Sequence, residues 1–169
     1  MLKSAAFFDR DGVINIDKGY VYKISDFEWM QDAREAIQFL NKQNYYVFVI
    51  SNQSGISRGY YTEEDLLKLQ RYINKELQLF NAYIDDFYFS PYHKDGINSY
   101  RYKNLEYLRK PNTGMLELAK KQWDFSKSSS FLIGDKESDI ICARRFGIMG
   151  YKFNGGSLLE FIKNNIKIN

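Results

Sequence analysis

Short apolar runs rich in β-branched and aromatic residues alternate along this chain with longer stretches whose apolar residues recur every three or four positions. That alternation is the pattern of βα units, and it restricts the chain to an α/β fold built on a parallel sheet. The runs at 5–9, 46–51, 87–90, 130–134 and 150–153 are predicted strands. Each is short and mostly apolar, as strands buried on both faces are. The stretches at 33–42, 63–80, 114–122, 137–146 and 158–164 are predicted helices. In the second, Thr62 is placed to cap the N-terminus with Asp65 three residues on, and Leu66, Leu69, Ile73, Leu77 and Phe80 form one stripe that should face the sheet.

At 169 residues the chain is expected to form a single domain over 1–169, burying roughly 70% of its unfolded surface. Its one cysteine, Cys142, excludes an internal disulfide framework and a multi-cysteine metal cluster. A reducing, cytoplasmic location follows from that reading, and Cys142 itself is read as a small core residue. No apolar run approaches the roughly 20 residues that cross a bilayer, so neither membrane insertion nor export is expected. Lys plus Arg number 24 against 21 Asp plus Glu, a net +3 that suits anionic ligands without demanding nucleic acid. The 14 tyrosines and 13 phenylalanines fall mostly on strand runs and helix stripes, where core packing accounts for them. The polar tail at 163–169 is expected to fray. Residues 91–111 break the alternation, being polar, basic and rich in tyrosine between the only two prolines, and read as a long loop insertion, either a lid or binding loop or else disordered.

Chemistry-bearing residues gather where predicted strands end. The first strand runs into Asp9-Arg10-Asp11-Gly12, two carboxylates just past a carboxyl strand end, the edge at which open α/β sheets bind ligands. Carboxylates that close resist joint ionisation unless a cation lies between them, and a hard, oxygen-ligated ion such as Mg²⁺ is the simplest resolution. The second strand ends in Ser51-Asn52-Gln53-Ser54-Gly55, a segment of hydroxyl, amide and backbone donors suited to an anion. After the fourth come Asp135, Lys136 and Asp139. Asp135 is placed to complete a cation site with Asp9, whereas Asp139 either joins it or only favours the positive end of the following helix. Arg109-Lys110-Pro111 brings two cations to the start of another helix, with Pro111 biasing Lys110 toward extended backbone. A carboxylate nucleophile, an acid/base, a cation and fixed positive donors are what phosphoryl transfer through an aspartyl intermediate needs.

These residues, in this order, resemble motifs I to IV of the haloacid dehalogenase (HAD) superfamily: Asp9-Arg10-Asp11-Gly12, Ser51-Asn52, Lys110, and Gly134-Asp135 with Asp139. The segments FFDRDGVINIDKGYV, SNQSGISRGYYT, RKPNTGM and IGDKESD are similar to the subfamily of heptose bisphosphate phosphatases and histidinol phosphatases. The resemblance implies a Rossmann-like, HAD-type sheet flanked by helices with no large cap domain, hence an open site. It implies Asp9 as nucleophile, Asp11 as acid/base, and Mg²⁺ held by Asp9, Asp135 and the backbone carbonyl of Asp11. Ser51 and Lys110 would bind the transferring phosphoryl group with Asn52 helping, and Asp17, Lys18, Gly19, Tyr20, Gln53, Ser54, Arg58, Arg109 and Lys136 would contact or orient substrate. The implied substrate is D-glycero-D-manno-heptose 1,7-bisphosphate, dephosphorylated at C7 on the route to nucleotide-activated heptose for surface glycans.

One segment departs from the subfamily. Its zinc loop carries three cysteines and a histidine, and the matching positions here are Ser90, Tyr92, Glu106 and Leu108. Serine, tyrosine and leucine give Zn²⁺ none of the ligands a closed structural site uses, so no zinc is expected. Tyr92, Tyr100, Tyr102 and Tyr107 are expected to pack the loop instead, and the lone His93 reads as an ordinary loop histidine. Histidinol phosphate, a 3′-phosphorylated nucleic acid, a phospho-accepting receiver domain and a non-catalytic binding domain are the competing readings. The expected partner is a small phosphorylated sugar, with no nucleic acid or membrane, and a monomer is favoured.

Overall fold

The structure, a computed structural model, describes residues 2–168. Five strands, β1 (Lys3–Phe8), β2 (Tyr46–Asn52), β3 (Asp86–Ser90), β4 (Phe125–Gly134) and β5 (Met149–Lys152), form one parallel sheet in the order β3-β2-β1-β4-β5. Between and after them lie α1 (Ala33–Lys42), α2 (Glu63–Gln78), α3 (Ser99–Tyr102), α4 (Gly114–Gln122), α5 (Glu137–Phe146) and α6 (Leu158–Asn165).

Successive strand residues point to opposite faces, and the sequence supplies bulk to both. Ala6, Phe8, Val47, Val49, Phe131 and Ile133 pack with the buried faces of α1, α2 and α6. Ala5, Phe7, Phe48, Ile50 and Leu132 pack on the other side with α4 and α5. Burial on both faces is why the strands read as continuous apolar runs.

The predicted bounds of α1, α4 and α5 coincide with the observed ones, and Thr62 and Asp65 form the full capping box at the start of α2. Three expectations are corrected. Strand β4 begins at Phe125, ahead of the predicted 130, because the polar stretch 126–129 lies at a register shift against β1 and Ser130 Oγ accepts the Ala5 N–H there. The segment 91–111 is not an unstructured loop: it holds α3 and a 3-10 helix, Lys103–Leu108, too short to leave a period in the sequence. The tail does not fray at 163, since α6 continues to Asn165 and Ile166 is buried against the core, while Asn169 lies outside the described residues.

Candidate active site

The sheet order reverses direction between β1 and β4, and the crevice outside the carboxyl ends of those strands is the natural ligand site of such a fold. Phe8 pairs with Ile133, and the Asp9 N–H donates to the Ile133 carbonyl at 2.9 Å, carrying Asp9 just past the strand edge. Gly134 and Asp135 leave β4 beside it, and Ser51 and Asn52 end β2 on its other flank.

Lys110 organises these ends. It is 3% exposed, and its Nζ lies 2.9 Å from Asp9 Oδ1 and 2.7 Å from Asp139 Oδ1 while donating to the Ile50 carbonyl at 2.8 Å. Its backbone is fixed by Asn52, whose amide donates to the Lys110 carbonyl at 3.1 Å and accepts the Lys110 N–H at 3.0 Å. Burial opposes the lysine's charge, but Asp9 and Asp139 outweigh it and push its pKa up. Asp9 is pushed up to about 7, chiefly by burial, with Lys110 pulling the other way and Asp139 adding to the rise. Its Oδ1 takes both Lys110 and the Arg10 N–H at 2.8 Å; among the described residues no hydrogen bond reaches Oδ2.

Asp11 sits in a web of donors. Arg10, 1% exposed, reaches both its carboxylate oxygens through Nη2 at 2.8 and 2.9 Å and also donates to the Val21 carbonyl. Asn15 Nδ2 donates to Oδ1 at 3.0 Å and Gln53 Nε2 to Oδ2 at 3.2 Å. Gln53 also donates to Ser51 Oγ at 2.6 Å, and the Tyr61 hydroxyl donates to its carbonyl oxygen, fixing which way the amide faces.

Oxygens of Asp9, Asp135 and Asp139 lie within 4.8 Å of one another. Asp139 has both oxygens engaged, one by Lys110 and the other by the Lys136 N–H at 3.0 Å. Asp135 differs: its Oδ1 is buried with no hydrogen-bond partner. An uncompensated carboxylate oxygen beside a second carboxylate fits a hard divalent cation. Gly12, at φ 88°, allows this approach, because a Cβ there would stand 2.6 Å from Asp135 Oδ2.

A cavity of about 230 Å³ is lined by Asp11 and Tyr61 and by the predicted Asp17, Gly19, Tyr20, Asn52, Gln53, Ser54 and Lys136. Lys18 is turned away onto Glu28 at 2.8 Å, while Arg58 and Arg109 border His93 and Tyr92 rather than this cavity. Arg10, Asn15 and Tyr61 were not foreseen as part of the site. The arginine lay within a motif read for its aspartates, and no local pattern brings Tyr61 to Gln53. At the four positions matching the zinc loop, Ser90 is buried, Lys103 Nζ lies 2.6 Å from Glu106 and 3.3 Å from the Tyr92 hydroxyl, and Leu108 is in the core. Of the four loop tyrosines, Tyr92 is buried and Tyr102 packs near Ile56 and Leu66. Tyr100 and Tyr107 are exposed, so the packing role expected of them is corrected.

Fold and site together define the class, a phosphoric monoester hydrolase of the HAD type. The profile of the family described as polynucleotide kinase 3 phosphatase matches residues 4–151, and the chain belongs to that family. It is 42% identical to D-glycero-beta-D-manno-heptose-1,7-bisphosphate 7-phosphatase of Rhodopseudomonas palustris over 95% of this chain and 89% of that protein. It is 44% identical to D-glycero-alpha-D-manno-heptose-1,7-bisphosphate 7-phosphatase of Campylobacter jejuni over 83% of this chain and 76% of that one. The crystal structure of D,D-heptose 1,7-bisphosphate phosphatase from B. bronchiseptica, complexed with magnesium and phosphate, shares the fold at a TM-score of 0.78 and 22% identity, covering 96% of this chain and 87% of that chain.

Proposed function

We propose that this chain is a Mg²⁺-dependent phosphatase that removes the 7-phosphate of D-glycero-D-manno-heptose 1,7-bisphosphate through an aspartyl phosphate on Asp9, a step toward nucleotide-activated heptose. The observation that carries the chemistry is the buried Lys110 ion-paired to Asp9 at 2.9 Å beside an unpartnered Asp135 oxygen. The sugar follows the two relatives, whose names share it and differ only in the anomer.

Asp9, Asp135 and the Asp11 carbonyl would hold Mg²⁺, which neutralises carboxylate charge and polarises the phosphoryl oxygens when bound. Asp9 attacks phosphorus through Oδ2, the oxygen left free of donors, while Lys110 holds Oδ1 and favours the ionised carboxylate against burial. Asp11, ion-paired to Arg10 in the free site, takes up a proton as the anionic substrate binds; the bond from phosphorus to the sugar O7 then breaks, and Asp11 gives that oxygen the proton. Asp11, now ionised and stabilised by Arg10, Asn15 and Gln53, takes a proton from water, whose oxygen displaces Asp9 and releases phosphate. Ser51 and Lys110 receive the transferring oxygens, with Asn52 helping by fixing the Lys110 backbone. Asp17, Gly19, Tyr20 and Lys136 form the rim on which the sugar rests, with Arg58 and Arg109 reaching its far end.

The family's description favours one other reading, removal of a 3′-phosphate from a polynucleotide. A net charge of only +3 gives such a strand little to follow. Phosphate release by wild type and Asp9→Asn, with Mg²⁺ or with chelator, across both heptose bisphosphate anomers, histidinol phosphate and a 3′-phosphorylated oligonucleotide tests the proposal. Mg²⁺-dependent turnover of a heptose anomer, lost in Asp9→Asn, is expected; dominant turnover of the oligonucleotide or histidinol phosphate would overturn the substrate.

A further inference from the structure

The Gln53 amide is used entirely within the protein. Of the two N–H groups on its Nε2, one goes to Ser51 Oγ at 2.6 Å and the other to Asp11 Oδ2 at 3.2 Å, while its Oε1 accepts the Tyr61 hydroxyl. Ser51, 3% exposed, therefore accepts a hydrogen bond here, and among the described residues its own proton goes to no protein group. With a lone pair taken by Gln53, the Ser51 O–H is turned away from the amide and is free for a phosphoryl oxygen. Were the amide turned over, Oε1 would face Ser51 and Asp11. It would take the Ser51 proton and set an acceptor against the Asp11 carboxylate. While Asp11 is ionised, that repulsion keeps the amide in place. Once Asp11 carries the proton destined for the leaving group, the repulsion is gone and Asp11 could itself donate to Oε1, so the orientation needs a second hold.

Tyr61 supplies it. Its hydroxyl is buried, Gln53 is its one side-chain hydrogen-bond partner among the described residues, and burial pushes its pKa up, so the phenol stays protonated. Against an amide turned over, Tyr61 would receive an N–H, and its own buried proton would lose its acceptor. The ring is fixed as firmly as the hydroxyl. It stacks on Tyr22 with centroids 4.8 Å apart and planes 13° apart, packs with Ile56 and Leu66, and lies against Gly55, where any Cβ would overlap it. We propose that Tyr61 is a positioning residue, whose donation to Gln53 holds the amide in the orientation that leaves the Ser51 proton free for the transferring phosphoryl group. The inference rests on the proposed function insofar as Ser51 receives a phosphoryl oxygen there, and it is independent of the sugar.

Tyr61→Phe keeps the ring and deletes the donor, and the test places it in the wild type, over Ser51→Ala and over Gln53→Met. Mg²⁺-dependent phosphate release is measured on heptose 1,7-bisphosphate and on p-nitrophenyl phosphate, which shares the phosphoryl group and not the sugar. Tyr61→Phe should lose about tenfold in kcat on both, the size of one hydrogen bond to a charged group, with KM changed less than about twofold. Over Ser51→Ala or Gln53→Met it should cost nothing further, whereas a merely structural tyrosine would cost the same in every background. Wild-type kcat in Tyr61→Phe, a loss confined to KM, or an undiminished loss over Ser51→Ala, which would put the effect on Asp11, would overturn the role. Turnover of p-nitrophenyl phosphate without turnover of the heptose bisphosphate would refute the substrate alone, and the comparison would then be read on the aryl phosphate; release from neither by the folded wild type would overturn both. Should Tyr61→Phe fail to fold, Gln53→Glu, which offers Ser51 an acceptor and no donor, decides: a loss of kcat that shrinks over Ser51→Ala is expected, and one that does not shrink overturns the role.

Discussion

Lys110→Met is the most searching perturbation of this site. The lysine Nζ is ion-paired to Asp9 and Asp139 at 2.9 and 2.7 Å, donates to the Ile50 carbonyl at 2.8 Å, and is almost fully buried. Methionine keeps the stem and much of the volume, so the change removes the charge with little cavity. Breaking a buried pair from one side costs about 3–5 kcal/mol, because the partner charge stays in a low-dielectric site. Here two carboxylates remain, but Asp9 has a way out: its carboxyl is already pushed up to about 7 by burial, with Lys110 the main influence holding it down. Without the lysine Asp9 takes up a proton more readily, which offsets part of the cost at pH 6 and less of it at pH 8. Urea denaturation of the metal-free protein at both values should give a loss of about 3 kcal/mol or more at pH 8 and a smaller one at pH 6. Phosphate release with Mg²⁺ present should fall about 10²- to 10³-fold, as it does when a preorganised donor is taken from a transition state. A loss below about 1 kcal/mol, or the same loss at both pH values, would refute the reasoning that this lysine compensates two buried carboxylates.

Asp135→Asn should raise the Mg²⁺ concentration for half-maximal phosphate release by more than about 100-fold while leaving the urea midpoint of the chelated protein nearly unchanged, because the lost oxygen has no protein partner. In chelator, folded Asp9 holds a proton up to about pH 7 that the unfolded chain releases near 3.8, so this group makes stability fall as pH rises between those values, by at most about 1.4 kcal/mol per unit. Urea midpoints of wild type and Asp9→Asn at pH 5 and pH 7 check this, and parallel slopes would contradict it.

The parts of the fold legible in the sequence are those fixed by local pattern. Thr62 and Asp65 cap α2 from three residues apart, and the stripe from Leu66 to Leu77 is written at helical spacing. The strands β1 and β2 declared themselves because both faces are buried, whereas the start of β4 did not, its serines serving a register shift that only the neighbouring strand defines. In the site, the aspartates at strand ends could be read from spacing and resemblance alike. Their partners could not: Tyr61 reaches Gln53, and Arg10 ties Asp11 to Val21, only once three separate segments have folded together.

The charges of the site explain why its parts must act together. Asp9, Asp135 and Asp139 bring three negative charges into a space where their oxygens lie within 4.8 Å of one another, and Lys110 returns one positive charge. Asp11 is balanced separately by Arg10, so the remaining imbalance of two negative charges falls on the cluster around Asp9. In a buried site that imbalance can be relieved by protons or by a cation. Burial pushes Asp9 toward the first of these, and a proton there would silence the oxygen proposed to attack phosphorus. A divalent ion relieves the same imbalance while leaving Asp9 ionised. On this argument the cation is required before substrate arrives, because an anionic phosphate would otherwise meet a net negative charge and a carboxyl that burial pushes toward protonation.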